Sequence, residues 1–376
     1  MPHSTEIIAS PQALRQLADI LSREPVVACD LEADSMHHYQ EKVCLLQFSA
    51  TAGTWLVDPL AIDDLSPLAP ILADPATRKI LHGADYDIRS LHRDFCIEVN
   101  NLFDTMVACQ FLGEKEFGLA AVLRKRFGVE LDKKFQRADW SCRPLSPEMV
   151  AYAAMDTTRL IELYRQLESE LRAKGRLAWV EEECLLLSRV RMQPRGDEPF
   201  YLRFKGAARM APRILAVLEE VLRYRDEKAR LRDLPPFKVL DSEGIRHIAE
   251  KRPRTIAELS GLPGMTAKVL DRHGKGIIEA VARGFALPEA AMPSFPSKPR
   301  LKKSRREEEL LANLKSWRES IARELEMEPG ILANNTLLET LAGNAAKGEY
   351  NLDMAPSMRA WQKKEFGPEL LSILRK

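Results

Sequence analysis

The stretch Val26-Val27-Ala28-Cys29-Asp30-Leu31-Glu32 decides how the chain is read. A short valine-rich run after Pro25 has the length and composition of a buried β-strand. Side chains alternate along a strand, so Asp30 and Glu32 fall on one face. No Lys or Arg lies between Arg23 and Lys42, so no sequence neighbour neutralises the pair. An isolated ion moved into a protein interior costs several kcal/mol even after relaxation. These carboxylates must therefore reach solvent, find distant partners, share a proton or bind cations.

At 376 residues the chain is long enough for two or three domains. It is 45% hydrophobic and 30% charged, a globular balance. Residues 1–10 are neither basic nor apolar enough for a signal peptide, and no apolar run is long enough to span a bilayer. The cysteines Cys29, Cys44, Cys96, Cys109, Cys142 and Cys184 all lie in the first half without C-x-x-C spacing. That is neither a zinc framework nor a secreted disulfide pattern, and it points to a reducing cytoplasm. Charge is unevenly divided: residues 1–200 carry 23 Lys+Arg and 31 Asp+Glu, residues 201–376 carry 33 and 24. Either chemistry sits in the acidic half and a polyanion grip in the basic half, or mixed-charge helical surfaces have drifted.

Around the opening stretch, residues 10–23 read as a short helix with Leu14, Leu17 and Leu21 on one face. Strands are expected at 43–48 and 54–58, with Gly53 between them as a tight hairpin needs. A helix near 66–73 precedes a fourth strand at 79–82. Helices follow at 87–95, 104–112 and 118–127, and a long one runs from Pro147 to about residue 174. A mixed sheet first and covering helices after gives an α/β or α+β fold.

Two later stretches bear on the carboxylates. In His82-Gly83-Ala84-Asp85-Tyr86-Asp87, Gly83 permits a sharp strand-to-helix turn and either aspartate can cap the helix. Capping explains one acid but not two. On the Pro147 helix, Met149, Ala153, Leu160, Leu163, Leu167 and Leu171 form the core-facing stripe. Tyr152 and Asp156, one turn apart, lie on or beside it. They either close the core as a Tyr–Asp hydrogen bond, or Asp156 meets Asp30, Glu32 and one of Asp85 or Asp87. Converging acids repel, and two divalent cations remove that repulsion. Hard oxygen ligands suit Mg²⁺ or Mn²⁺, and a cation pair serves phosphoryl displacement.

Together the three stretches resemble the exonuclease motifs of the DEDD superfamily. Asp30-x-Glu32 is similar to the first, His82 to Asp87 to the second, and Tyr152-Ala-Ala-Met-Asp156 to the third in its tyrosine form. The segment Leu131-Asp132-Lys133, Asp139-Trp140 and Arg143-Pro144-Leu145 resembles the RNase D family, although Leu31 and Ala33 depart from its bacterial pattern. The resemblance implies an RNase H-like α/β exonuclease domain in which Asp30, Glu32, Asp87 and Asp156 hold two Mg²⁺ or Mn²⁺ ions. Asp87 rather than Asp85 matches the family position. Tyr152 would orient the attacking water. The implied reaction is hydrolysis of the terminal phosphodiester from the 3′ end, releasing nucleoside 5′-monophosphates. Among the neighbours, His82 is either a strand-end core histidine or a substrate contact. Lys133, Lys134, Gln136 and Arg143 either touch the phosphate backbone or form a solvated loop. His37, His38 and Tyr39 either stack a terminal base or form an exposed loop.

The second half is helical. Residues 193–199 and 288–303 have linker composition. Tyr224-Arg225-Asp226 in one unit matches Trp317-Arg318-Glu319 in the next, which reads as a diverged internal repeat. Both units resemble the HRDC domain, a small all-α nucleic-acid-binding module, and only the first carries Leu262-Pro263-Gly264. The expected domains are 1–192, 200–288 and 304–376. The helical units grip RNA, bind protein or brace the catalytic domain. The reading is a cytoplasmic, monomeric 3′–5′ exoribonuclease acting on tRNA precursors and other structured RNAs, with no membrane partner. The rivals are a DNA 3′–5′ exonuclease and a non-catalytic RNA-binding protein.

Overall fold

Valine-rich 26–33 does form a strand, and it lies inside a sheet of six. The structure, a computed structural model, describes residues 5–132, 134–193, 196–296 and 303–375. In chain order the strands are β1 (Glu6–Ile8), β2 (Val26–Ala33), β3 (Val43–Ala50), β4 (Gly53–Val57), β5 (Arg78–Leu81) and β6 (Leu102–Asp104). They are arranged β1-β4-β3-β2-β5-β6. The β2–β3–β4 meander is antiparallel, while β1, β5 and β6 join in parallel pairs. The edge strands β1 and β6 were not expected, because three residues are too few to display alternation.

Alternation along β2 separates two environments. Asp30 and Glu32 point to one face, Val27 and Cys29 to the other. Lys79 of β5 is fully buried and pairs with Val27, so it stands on the face away from the acids. Its Nζ donates to the carbonyls of Asp74 and Ile71. A buried cation therefore lies close in the sheet without neutralising the carboxylates.

The long helix expected from Pro147 is two helices, Pro147–Thr158 and Leu160–Ala173. Hydroxyls break it. Thr157 Oγ1 is 2.7 Å from Ser49 Oγ of β3, and the Thr158 hydroxyl donates back to the Ala154 carbonyl. A back-bond like that of Thr158 competes with the helical ladder and bends it. The first half packs on the β2–β3–β4 face, and the second buries Leu160, Leu163, Leu167 and Leu171 as the stripe required.

The chain packs as two units: the described parts of Met1–Ala33, Val43–Met192 and Leu301–Lys376, and those of Asp34–Lys42 and Gln193–Arg300. In the first unit, the C-terminal helices share a core with the sheet domain. Trp179 and Trp361 stack at 4.6 Å with 18° between their planes. Glu183 accepts from Arg359 Nε (2.8 Å) and Trp361 Nε1 (3.1 Å), and Glu182 accepts the backbone N–H groups of Ala360 and Trp361. Arg176 bridges the carbonyls of Phe111 and Leu325. Gly113, at φ +86°, lies so close that a Cβ there would overlap the Glu326 carbonyl oxygen.

The second unit is helical, with its own core around Leu218, Val221, Ile245 and Ile277. The loop after the first acidic motif belongs to it: the Tyr39 hydroxyl donates to Asp226 (2.8 Å), and His38 Nδ1 lies 2.7 Å from Asp233. His38 and Tyr39 are therefore tied down, not an open loop. The internal repeat has a shared contact. Arg225 reaches the Leu240 carbonyl and Arg318 the Ala333 carbonyl, each fifteen residues on.

Candidate active site

Three elements supply the carboxyls. β2 carries Asp30 and Glu32, and its register shifts just after Glu32, so the strand pair ends its regular ladder there. The helix Asp85–Phe95 carries Asp87 in its first turn, where the helix dipole favours a negative charge. The helix Pro147–Thr158, started by Pro147 and capped by Ser146, carries Tyr152 and Asp156.

Asp85 and Asp87 are separated by exposure. Asp85 faces solvent and forms a two-point ion pair with Arg89 at 2.8 and 3.0 Å. Asp87 is 7% exposed and forms no ion pair among the described residues. Asp156 is buried likewise, so both enter the site as acids without cations.

The four carboxyls feel one another. Burial pushes Asp30 up to about 7, against a backbone hydrogen bond at Leu31. Burial, then repulsion from Asp30, Asp156 and Asp87, pushes Glu32 up to about 9. Burial and the charge of Asp30 push Asp156 up to about 8. The same two causes hold Asp87 well above the ordinary carboxylate range. Burial, then Asp156, Glu32 and Asp30, also raises the Tyr152 hydroxyl, which stays protonated as a donor. Its ring is fixed by Phe135 at 5.7 Å and Trp140 at 6.0 Å.

No three His, Cys, Asp or Glu side chains among the described residues stand at metal-ligating spacing. Like charges brought together repel, and divalent cations offset that repulsion. Oxygen-only donors with no Lys or Arg ion pair among the described residues fit hard divalent cations. The donor set therefore fits the metal ions that the sequence implies.

Asp104 completes the support, and sequence reasoning missed it. It is fully buried, caps the helix Thr105–Leu112 through the N–H groups of Met106 and Val107, and accepts those of Gly83 and Ala84 as well. One carboxylate thus pins the turn that launches Asp87. Gly83 adopts φ +76° there, the left-handed region where side chains are strained.

The expected substrate contacts fare unevenly. His82 Nδ1 lies 2.9 Å from the Thr105 hydroxyl, which itself donates to the Leu81 carbonyl. His82 Nε2 is closed off from solvent. His82 is thus partly buried, with Nδ1 engaged by Thr105 and Nε2 buried without a hydrogen-bond partner among the described residues. Arg143 is corrected: its five N–H groups go to Asp58 (2.6 and 2.8 Å) and the carbonyls of Cys44, Trp140 and Cys142. A guanidinium with every donor used internally has none for phosphate. Gln136 and Lys134 are exposed, with Lys134 Nζ 5.1 Å over the Phe135 ring. Lys133 lies outside the described residues.

Residues 5–172 match the family model described as 3′–5′ exonuclease, and 214–281 and 307–374 each match that of the HRDC domain. With the carboxylate site, they define the class: a 3′–5′ exonuclease domain followed by two HRDC domains. The chain is 30% identical over 370 residues to ribonuclease D of Gluconacetobacter diazotrophicus, covering 98% of this chain and 92% of that one. Against ribonuclease D of Escherichia coli it is 32% identical over 289 residues, 77% of each chain. The crystal structure of Escherichia coli RNase D, an exoribonuclease involved in structured RNA processing, matches with a TM-score of 0.73 at 27% identity. That match covers 100% of this chain and 99% of that one. The chain belongs to the ribonuclease D family, and it is a 3′–5′ exoribonuclease. Among the described residues no helix is long and apolar enough to cross a membrane.

Proposed function

We propose that Asp30, Glu32, Asp87 and Asp156 hold two Mg²⁺ or Mn²⁺ ions and that the enzyme trims 3′ tails of tRNA precursors and other structured RNAs. One observation carries the metal reading: burial raises four carboxyls from three elements, and the charge of Asp30 raises the other three further, with no cation among the described residues to offset them. Bound divalent cations would offset that charge and acidify the attacking water. Tyr152, protonated and braced by two aromatic rings, donates its hydroxyl to orient that water and does not act as base. Gln136 and Lys134, both exposed in the loop before Trp140, remain as described candidates for a substrate contact, with Lys133 three residues before Gln136 in sequence.

The boundaries 1–192, 200–288 and 304–376 serve as exonuclease domain, first and second HRDC domain. The enzyme works as a monomer in the cytoplasm, where its six cysteines stay reduced. The test is cleavage of a 3′-tailed tRNA-like RNA, beside a matched DNA, with Mg²⁺, Mn²⁺ or chelator. A metal-dependent ladder shortening from the 3′ end and releasing 5′-monophosphates is expected. Cleavage undiminished by chelator would remove the metal assignment, and equal rates on DNA would remove the RNA preference.

A further inference from the structure

Gln47 of β3 is fully buried, and neither its Oε1 nor its Nε2 has a hydrogen-bond partner among the described residues. Leaving a buried polar group unpaired costs about 1–3 kcal/mol. An apolar residue of the same length would fill the position without that cost, so the amide needs a reason.

Its register supplies one. Gln47 stands directly opposite Asp30 in the antiparallel β2–β3 pair, and directly opposed residues share a face of the sheet. Ser49, two residues along, shares that face and is hydrogen-bonded to Thr157, the neighbour of Asp156. The Gln47 amide is therefore in the floor of the acidic site, on the face covered by the helix that carries Asp156. The Gln47 Nε2 has no acceptor among the described residues, so it does not yet donate to Asp30.

We propose that Gln47 is a positioning residue for Asp30. Resting on the metal-site reading above, its Nε2–H donates to the Asp30 oxygen turned away from the cation. That bond fixes the carboxylate rotamer once the acids are drawn together. Partners of this kind behind metal ligands change metal affinity by about 10–100-fold.

The test uses full-length Gln47→Leu and Gln47→Met, read two ways. Melting temperature without metal reports the fold, and the electron paramagnetic resonance signal of free Mn²⁺ reports binding. The expected result is a metal-free melting temperature equal to or above wild type, with the Mn²⁺ dissociation constant raised about tenfold or more. Hydrolysis then falls at low Mn²⁺ and recovers as Mn²⁺ is raised. Unchanged Mn²⁺ affinity in either folded variant overturns the inference. So does a lower metal-free melting temperature or failure of both variants to fold, which would show the amide already satisfied within the fold. If wild type itself binds no Mn²⁺, the metal-site reading fails first, and the two failures stay distinct.

Discussion

Asp85 and Asp87 sit two residues apart in one helical turn and do opposite things. Asp85 is paired with Arg89 at the surface, where an i,i+4 pair contributes at most about 0.5 kcal/mol. Asp85→Asn should leave turnover unchanged. On the proposed metal reading, Asp87→Asn and Asp156→Asn each remove an anionic ligand and open no cavity, so turnover should fall by more than about a hundredfold while the protein stays folded. Circular dichroism beside single-turnover rates checks this, and wild-type turnover in either variant takes that residue out of the site. Asp104→Ala strips the acceptor from four backbone N–H groups. A loss of about 2–3 kcal/mol in urea unfolding is expected, and a loss under 0.5 kcal/mol would show the turn holds without it. Strand and helix spacing drew attention to Asp30, Glu32, Tyr152 and Asp156, whereas the choice of Asp87 over Asp85 came from the family resemblance. Asp104 was not legible, since its local cap looks like any other and its bonds to Gly83 and Ala84 reach main-chain groups 21 and 20 residues away. Arg143 was misread because Asp58, its partner, is 85 residues distant in sequence.

At the scale of elements, periodicity located most helices and the four longer strands, but it could not see where hydroxyls interrupt a helix. Thr157 and Thr158 read as ordinary helical residues until Ser49 is placed opposite them. Composition also left the role of the last helical unit open between grip and brace. For the described part of 303–375 the structure favours the brace, through Trp361, Glu183 and Arg176. Trp361→Ala should cost about 3–5 kcal/mol by opening a hole in the shared core. Because that core belongs to the catalytic unit, activity on short single strands should fall together with activity on folded RNA. Full activity on a single-stranded oligonucleotide at the same temperature would mean the catalytic unit stands alone. Gly113→Ala tests the same interface from the other side, through its clash with Glu326, and should lower the melting temperature in step.

For the molecule as a whole, the acidic site opposes its own fold in the absence of metal. Asp30, Asp156 and Glu32 hold protons up to about 7, 8 and 9, which the unfolded chain would release near pH 4. The folded state binds more protons across that window, so stability falls as pH rises through it and is fully present below it. Metal-free melting temperature should decline from about pH 5 to about pH 9, and saturating Mg²⁺ should raise it most at the alkaline end. A flat metal-free profile would show that the carboxyls are not crowded. The shared core has a further consequence, in the order of synthesis. Glu183 is made 178 residues before Trp361, whose indole it receives. A nascent chain at the ribosome, surrounded by RNA, carries the exonuclease motifs long before their packing is finished. A chain cut short before Trp361 carries the acidic motifs without the Trp179–Trp361 stack that steadies their scaffold, so unfinished copies are expected to be poorer nucleases than the full chain.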